Sequence, residues 1–134
     1  MEGDSYMSYT VNDVSKKTGI SAHTLRFYEK QGVLPYAERN DNGIRLYDES
    51  SIEWIETIIS LRSTGMPLAE LKQYVDLHKE GDQTLLERKK MMVDHKERIE
   101  EQMLQLIKTL GKINYKMALY DVQLQQLERD SCAL

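Results

Sequence analysis

Between Ile99 and Leu127 the apolar residues Ile99, Met103, Leu106, Leu110, Ile113, Met117, Tyr120, Leu124 and Leu127 recur at alternating intervals of four and three. This spacing keeps a single stripe on one side of an α-helix and is the pattern of a two-helix seam. Leu85 and Met92 prolong one row toward the N-terminus, whereas Lys89 and Lys96 occupy the other, so the seam weakens toward the helix start. A helix from Thr84 to Leu127 is roughly 65 Å long, more than a domain of some eighty residues can bury. It requires a partner, expected to be a second copy of the chain; the alternative is a helix that folds back on its own domain. Gly111 falls within this run but off the seam, where it costs about 1 kcal/mol relative to alanine.

The residues before Gly81-Asp82 carry a different set of signals. Thr10, followed three positions later by Asp13, suits a capping box, and Val11 and Val14 then face inward. Gly19 permits a tight turn, Ile20 plugs the space between two short helices, and Ser21 caps the second. On that second helix Leu25 is the anchor to the core, while His23, Thr24, Arg26, Phe27 and Lys30 spread over the other faces. Gly32, Val33, Leu34 and Pro35 end it, since proline cannot continue a helical ladder and restrains the residue before it. Asn42-Gly43 then predicts a two-residue type I′ turn, with Ile44 and Leu46 packed and Arg45 and Tyr47 on the outward face. Two short helices followed directly by a hairpin form the pattern of a winged helix-turn-helix that reads DNA.

Charge bears on this reading through its distribution. The 134-residue chain has a net charge of −4 and a mean hydropathy of −0.58, which by themselves describe a soluble protein and argue mildly against nucleic acid. From Lys16 to Tyr47, however, six cations (Lys16, Lys17, Arg26, Lys30, Arg39 and Arg45) face only three acids (Glu29, Glu38 and Asp41). The basic footprint is local. No apolar run has the length of a membrane span, and the N-terminus has neither the basic start nor the apolar stretch of a signal peptide, so a cytoplasmic location is expected. The single cysteine, Cys132, excludes an internal disulfide, and His23, His78 and His95 lie on separate elements without metal-ligand spacing, so neither metal nor cofactor is expected.

The segments TLRFYEKQGVLP and NGIRLY resemble the DNA-binding domain of the MerR family of bacterial transcription regulators. The resemblance continues through DESSIEWIETIISLRSTGMPLAELKQYV, with Asp48 as a cap, Ile52, Ile55, Ile58 and Ile59 as core and Gly65 ending the third helix, and then through GDQTLLER and YKMALY. The similarity is greatest to the small thiol-dependent, aldehyde- or nitrosothiol-responsive branch. It implies a mainly α fold, with a winged helix-turn-helix over residues 1–80 and a dimerisation helix with a short tail over 81–134. It also implies antiparallel pairing of that helix, a promoter inverted repeat as target, and distortion of the spacer DNA so that RNA polymerase can engage it.

By position in the matching motifs, Arg26 and Tyr28 are expected on phosphates, and Ala22, His23 and Thr24 near base edges. Arg45 is expected at the flanking backbone or minor groove, with Lys30, Arg39 and Tyr47 as further contacts. For Arg26 a salt bridge to Glu29 or Glu53 is the alternative, for Tyr28 a purely packed ring, and for His23 the role of an ordinary exposed residue.

This chain departs from that branch at Ser60, which stands where thiol-dependent relatives carry a cysteine just before LRSTGM; a hydroxyl does not replace a thiolate as nucleophile. Cys132, near the end of the chain, is more readily a bystander than a redox sensor. With only DVQLQQLERDSCAL after YKMALY, any signal is expected to be read at the junction of the third to fifth helices or by the dimer. Two other readings compete. A recombination directionality factor also uses a small winged head but seldom a long dimer helix, and a coiled-coil adaptor leaves the hairpin without a task. The chain lacks a phosphate loop and any motif for a nucleophile and its base, which argues against an enzyme.

Overall fold

The computed structural model describes residues 8–34 and 38–132. In chain order these form α1 (Val11–Thr18), α2 (Ala22–Lys30), β1 (Glu38–Arg39), β2 (Arg45–Leu46), α3 (Glu49–Ser63), α4 (Leu68–Glu80), a 3-10 turn (Asp82–Thr84) and α5 (Leu85–Cys132). The fold is mainly helical with one short hairpin, as the sequence implied.

Local chemistry sets the helix boundaries. The capping box at α1 is complete: Thr10 N–H donates to Asp13 Oδ2 at 3.0 Å and Asp13 N–H to Thr10 Oγ1 at 3.2 Å. Ser21 and Asp48 cap α2 and α3 through the amides of Thr24 and Ser51. At the other end of α2, Gly32 adopts φ +81°, its N–H donates to Glu29 O, and Val33 N–H donates to Tyr28 O. This Schellman closure stops α2 and drives Val33 fully into the core. Pro35, to which the stop was ascribed, lies outside the described residues. The same closure recurs after α3, where Gly65 and Met66 donate to Arg62 O and Leu61 O and Met66 becomes fully buried.

The head packs these elements around Val14, Leu25, Val33, Leu34, Tyr47, Ile52, Ile55, Ile58, Met66, Leu71, Val75 and Leu77, all buried. Val11, Ile20 and Ile59, expected in the core, lie on its flank and are half-buried. α3 and α4 are also joined through rings: Trp54 stacks on Tyr74 with centroids 5.7 Å apart, and the His78 ring lies 4.5 Å from Trp54.

The hairpin departs from expectation in two ways. No described non-glycine residue has positive φ, so the type I′ turn, which needs it at both central positions, is absent here. Instead Gly43 N–H donates to Asn40 O and Asn40 N–H to Ile44 O, closing a three-residue loop in which Gly43, at φ +79°, takes the left-handed position. Asn40 Oδ1 accepts from the amides of Asn42 and Ile44, and so competes successfully with the tighter turn. Secondly, Tyr47 is 5% exposed and Ile44 is 49% exposed, the reverse of the predicted faces. The strand end is also held from outside the hairpin, where Tyr9 and Tyr47 exchange backbone hydrogen bonds of 2.7 and 2.8 Å.

The chain divides into two compact units, the first running through Met91 and the second starting at Met92, so the division falls inside α5 and beyond Gly81. The first turns of α5 are tied back to α4. Thr84 is buried, its hydroxyl donates to the Leu77 carbonyl at 2.6 Å, and Arg88 donates to both Thr84 Oγ1 and Gly81 O. The second unit is the remainder of α5, an uninterrupted part of a helix of 48 residues, about 72 Å at about 1.5 Å per residue. From Glu100 on, every described residue of α5 is exposed, including the seam residues Met103, Leu106, Leu110, Ile113, Met117, Tyr120, Leu124 and Leu127; Ile99 is half-buried. No helix among the described residues is long and apolar enough to cross a membrane.

Candidate nucleic-acid interface

α2 is amphipathic in a way that sorts its residues by task. Leu25 and Glu29 are buried, Ala22, Thr24 and Tyr28 are half-buried, and His23, Arg26, Phe27 and Lys30 are exposed. The exposed four are spaced i, i+3, i+4 and i+7, so they share one face, with two cations, an imidazole and a phenyl ring directed outward. Phe27, absent from the predicted contacts, is 47% exposed and meets the Tyr28 ring edge-on at 5.5 Å. The i, i+3, i+4, i+7 spacing alone would have placed it on this face.

Three arginines from separate elements converge beside that helix. Arg26 of α2, Arg39 of β1 and Arg45 of β2 line an open groove of about 520 Å³, together with Thr10, Val11, Asn12 and Ile44. Arg26 and Arg39 are exposed, and Arg39 donates to Gly43 O at 3.0 Å, which folds its guanidinium along the wing loop. Arg45 is half-buried and pairs with Glu29, Nη2 to Oε1 at 3.1 Å. The outward role expected of Arg45 is therefore corrected: its guanidinium bridges the hairpin to α2. Arg26 is exposed and lines the same groove beside this pair.

Other predicted contacts fall as follows. The Thr24 hydroxyl accepts from Ser21 Oγ at 2.9 Å, which holds it at the helix start. Tyr47 does not offer an outward phenol; its ring belongs to the core, and burial, with the nearby Glu29 charge second, raises its pKa above the ordinary value of 10.0. Asp13 and Asp48 at the helix starts are held below the usual carboxylate range by the hydrogen bonds their carboxylates accept, first from the amides of Thr10 and Ser51. Ser60 is exposed on α3, and its carbonyl accepts from the hydroxyls of Ser63 and Thr64. Cys132 is exposed at the last described turn of α5. Among the described residues no group of His, Cys, Asp and Glu is arranged to hold a metal ion.

A helix-turn-helix whose exposed face is cationic, flanked by a short hairpin that brings two more arginines, defines a winged DNA-binding protein. Residues 9–77 match the MerR HTH family regulatory protein family, and residues 52–114 match the family described as MerR, DNA binding. The chain belongs to the MerR family and is a DNA-binding transcriptional regulator. An HTH-type transcriptional regulator of Haemophilus influenzae is 34% identical over 114 residues, covering 85% of this chain and 84% of that one. The HTH-type transcriptional regulator AdhR of Bacillus subtilis is 42% identical over 91 residues, covering 68% of this chain and 65% of the relative. Among solved structures, HiNmlR, a MerR family regulator lacking the sensor domain and bound to promoter DNA, superposes with a TM-score of 0.80 at 34% identity, over 86% of this chain and 91% of that one. A MerR family regulator from Bacillus thuringiensis gives a TM-score of 0.77 at 36% identity, over 84% and 98% of the two chains. These likenesses agree with the aldehyde- and nitrosothiol-responsive branch.

Proposed function

We propose that this protein is a cytoplasmic, non-enzymatic regulator that binds a promoter inverted repeat as a homodimer and bends and untwists the spacer so that RNA polymerase engages both promoter elements. The observation that carries the reading is the convergence of Arg26, Arg39 and Arg45 on one groove beside the exposed face of α2. Arg26 and Arg39, exposed on two separate elements, suit successive phosphates of one duplex, and phosphate contacts supply the binding energy that offsets DNA deformation, which costs several kcal/mol.

Within this reading α2 enters the major groove, with Ala22, His23 and Thr24 toward base edges and Arg26, Tyr28 and Lys30 toward phosphates, while Arg39 on the hairpin follows the flanking backbone. The heptad stripe from Ile99 to Leu127 pairs with its copy as an antiparallel coiled coil, which sets two heads at opposite ends of a two-fold assembly. The relative in HiNmlR was solved on promoter DNA, and a head of the same fold here supports the same class of target. Footprinting on the upstream region of the protein's own gene, followed by transcription from that fragment with RNA polymerase, tests the proposal. Protection of two inverted half-sites with hypersensitive cleavage between them and increased transcript is expected. Uniform, sequence-independent protection would replace the regulator with an architectural DNA binder.

A further inference from the structure

Glu29 is an anomaly on charge grounds. It places a carboxylate in a DNA-facing head, where a negative charge opposes phosphate, and it does so on the buried side of α2, only 3% exposed. A charged carboxylate is held in such a place only when a cation and hydrogen-bond donors meet it. The cation comes from the wing: Arg45 Nη2 lies 3.1 Å from Glu29 Oε1, and the Arg45 side chain is itself 27% exposed.

The hairpin needs this tie. Its ladder holds only two residue pairs, and one of them sets Arg39 directly against Arg45. A two-stranded ribbon of that length does not hold its own position, and like charges on facing residues push it open. An anion beneath Arg45 relieves that repulsion and fixes the orientation of the wing against the recognition helix. We propose that Glu29 is a positioning residue for DNA recognition: its buried carboxylate holds Arg45, so that wing and recognition helix meet the duplex as one surface. The proposal rests on the DNA-binding reading above and adds to it the element that sets its sequence preference.

The test is fluorescence anisotropy with the footprinted upstream fragment and a scrambled duplex of equal length, using full-length wild type, Glu29→Gln, Arg45→Gln and the double variant, with thermal melts as the fold control. Simple electrostatics predicts that removing an acid tightens all DNA binding. A positioning role predicts the opposite on the specific fragment: affinity falls about tenfold in Glu29→Gln. Binding to the scrambled duplex does not weaken, so the preference between fragments collapses. The double variant loses no more than the more affected single variant, because both substitutions break one link.

Nitrogen-15 relaxation should show the amides of Arg45 and Leu46 becoming more mobile in Glu29→Gln while α1 and α3 are unchanged. Should Glu29→Gln fail to fold, Arg45→Lys takes its place, retaining the charge without the planar fork; it is expected to lose the same preference. Undiminished preference in Glu29→Gln, or in Arg45→Lys where that variant stands in, overturns the positioning role alone, as does full additivity in the double variant. A wild-type chain without sequence preference overturns both this role and the functional reading.

Discussion

Arg39 and Arg45 are direct partners across the antiparallel hairpin, so two cationic side chains leave the same face of a ladder only two pairs long. Each is compensated differently: Arg39 donates to the Gly43 carbonyl, a neutral acceptor, whereas Arg45 meets the carboxylate of Glu29. The full positive charge of Arg39 is therefore available to an anion, and that of Arg45 is largely offset.

This difference predicts unequal salt effects. Arg26→Ala and Arg39→Ala should each weaken specific and non-specific DNA binding together and flatten the log–log salt slope by about 1, since one fewer counterion is released. Arg45→Ala should flatten it by clearly less. Anisotropy titrations across a series of potassium chloride concentrations check this; equal slope changes for all three would mean that Arg45 leaves Glu29 to bind phosphate.

The stripe on α5 predicts the oligomeric state. Leu106 and Leu110 are 69% and 57% exposed on a single chain, and a second copy of the stripe would cover them. Leu106→Glu with Leu110→Glu should give monomers with an intact head and no operator binding. Sedimentation velocity at micromolar concentration reads the mass directly, and a monomeric wild type would refute the dimer.

Acid should loosen the head through its caps. Asp13 and Asp48 have folded-state pKa values below their ordinary 3.8, so the unfolded chain binds protons more readily. The stability they contribute is fully present above about pH 4 and is lost as pH falls through the lowered folded values. Asparagine still caps a helix but does not titrate there, so Asp13→Asn with Asp48→Asn should reduce the drop in melting temperature between pH 5 and pH 2.5. Circular dichroism melts at both pH values measure it, and an unchanged drop would assign acid sensitivity to other groups.

Signal reception should not depend on the tail thiol. Cys132 is exposed at the end of α5, and Ser60 supplies no thiolate on α3. Cys132→Ser should retain DNA binding and transcriptional response within about twofold, the range expected of surface substitutions. Loss of the response, together with mass-spectrometric modification of Cys132 in the wild type, would make the tail the sensor.

The sequence by itself determined the features whose partners lie within a few residues. Thr10 with Asp13, Ser21 with Thr24, Asp48 with Ser51 and the glycines at 32 and 65 set helix ends through hydrogen bonds spanning three to five positions, and such bonds can be read along the chain. The α5 stripe was legible for the same reason, since a heptad is a property of one helix. Only the tertiary structure decided what depends on distant partners. Tyr47 turned inward as its ring joined the core, on a strand end held by Tyr9, far away in sequence; Arg45 turned toward Glu29 because chain folding brings the hairpin over α2. The wing loop was misread at shorter range, where the Asn40 side chain caps two amides that an Asn-Gly turn was expected to arrange differently. Alternation along a strand says that two faces differ, but which face is buried depends on what the rest of the chain packs against it.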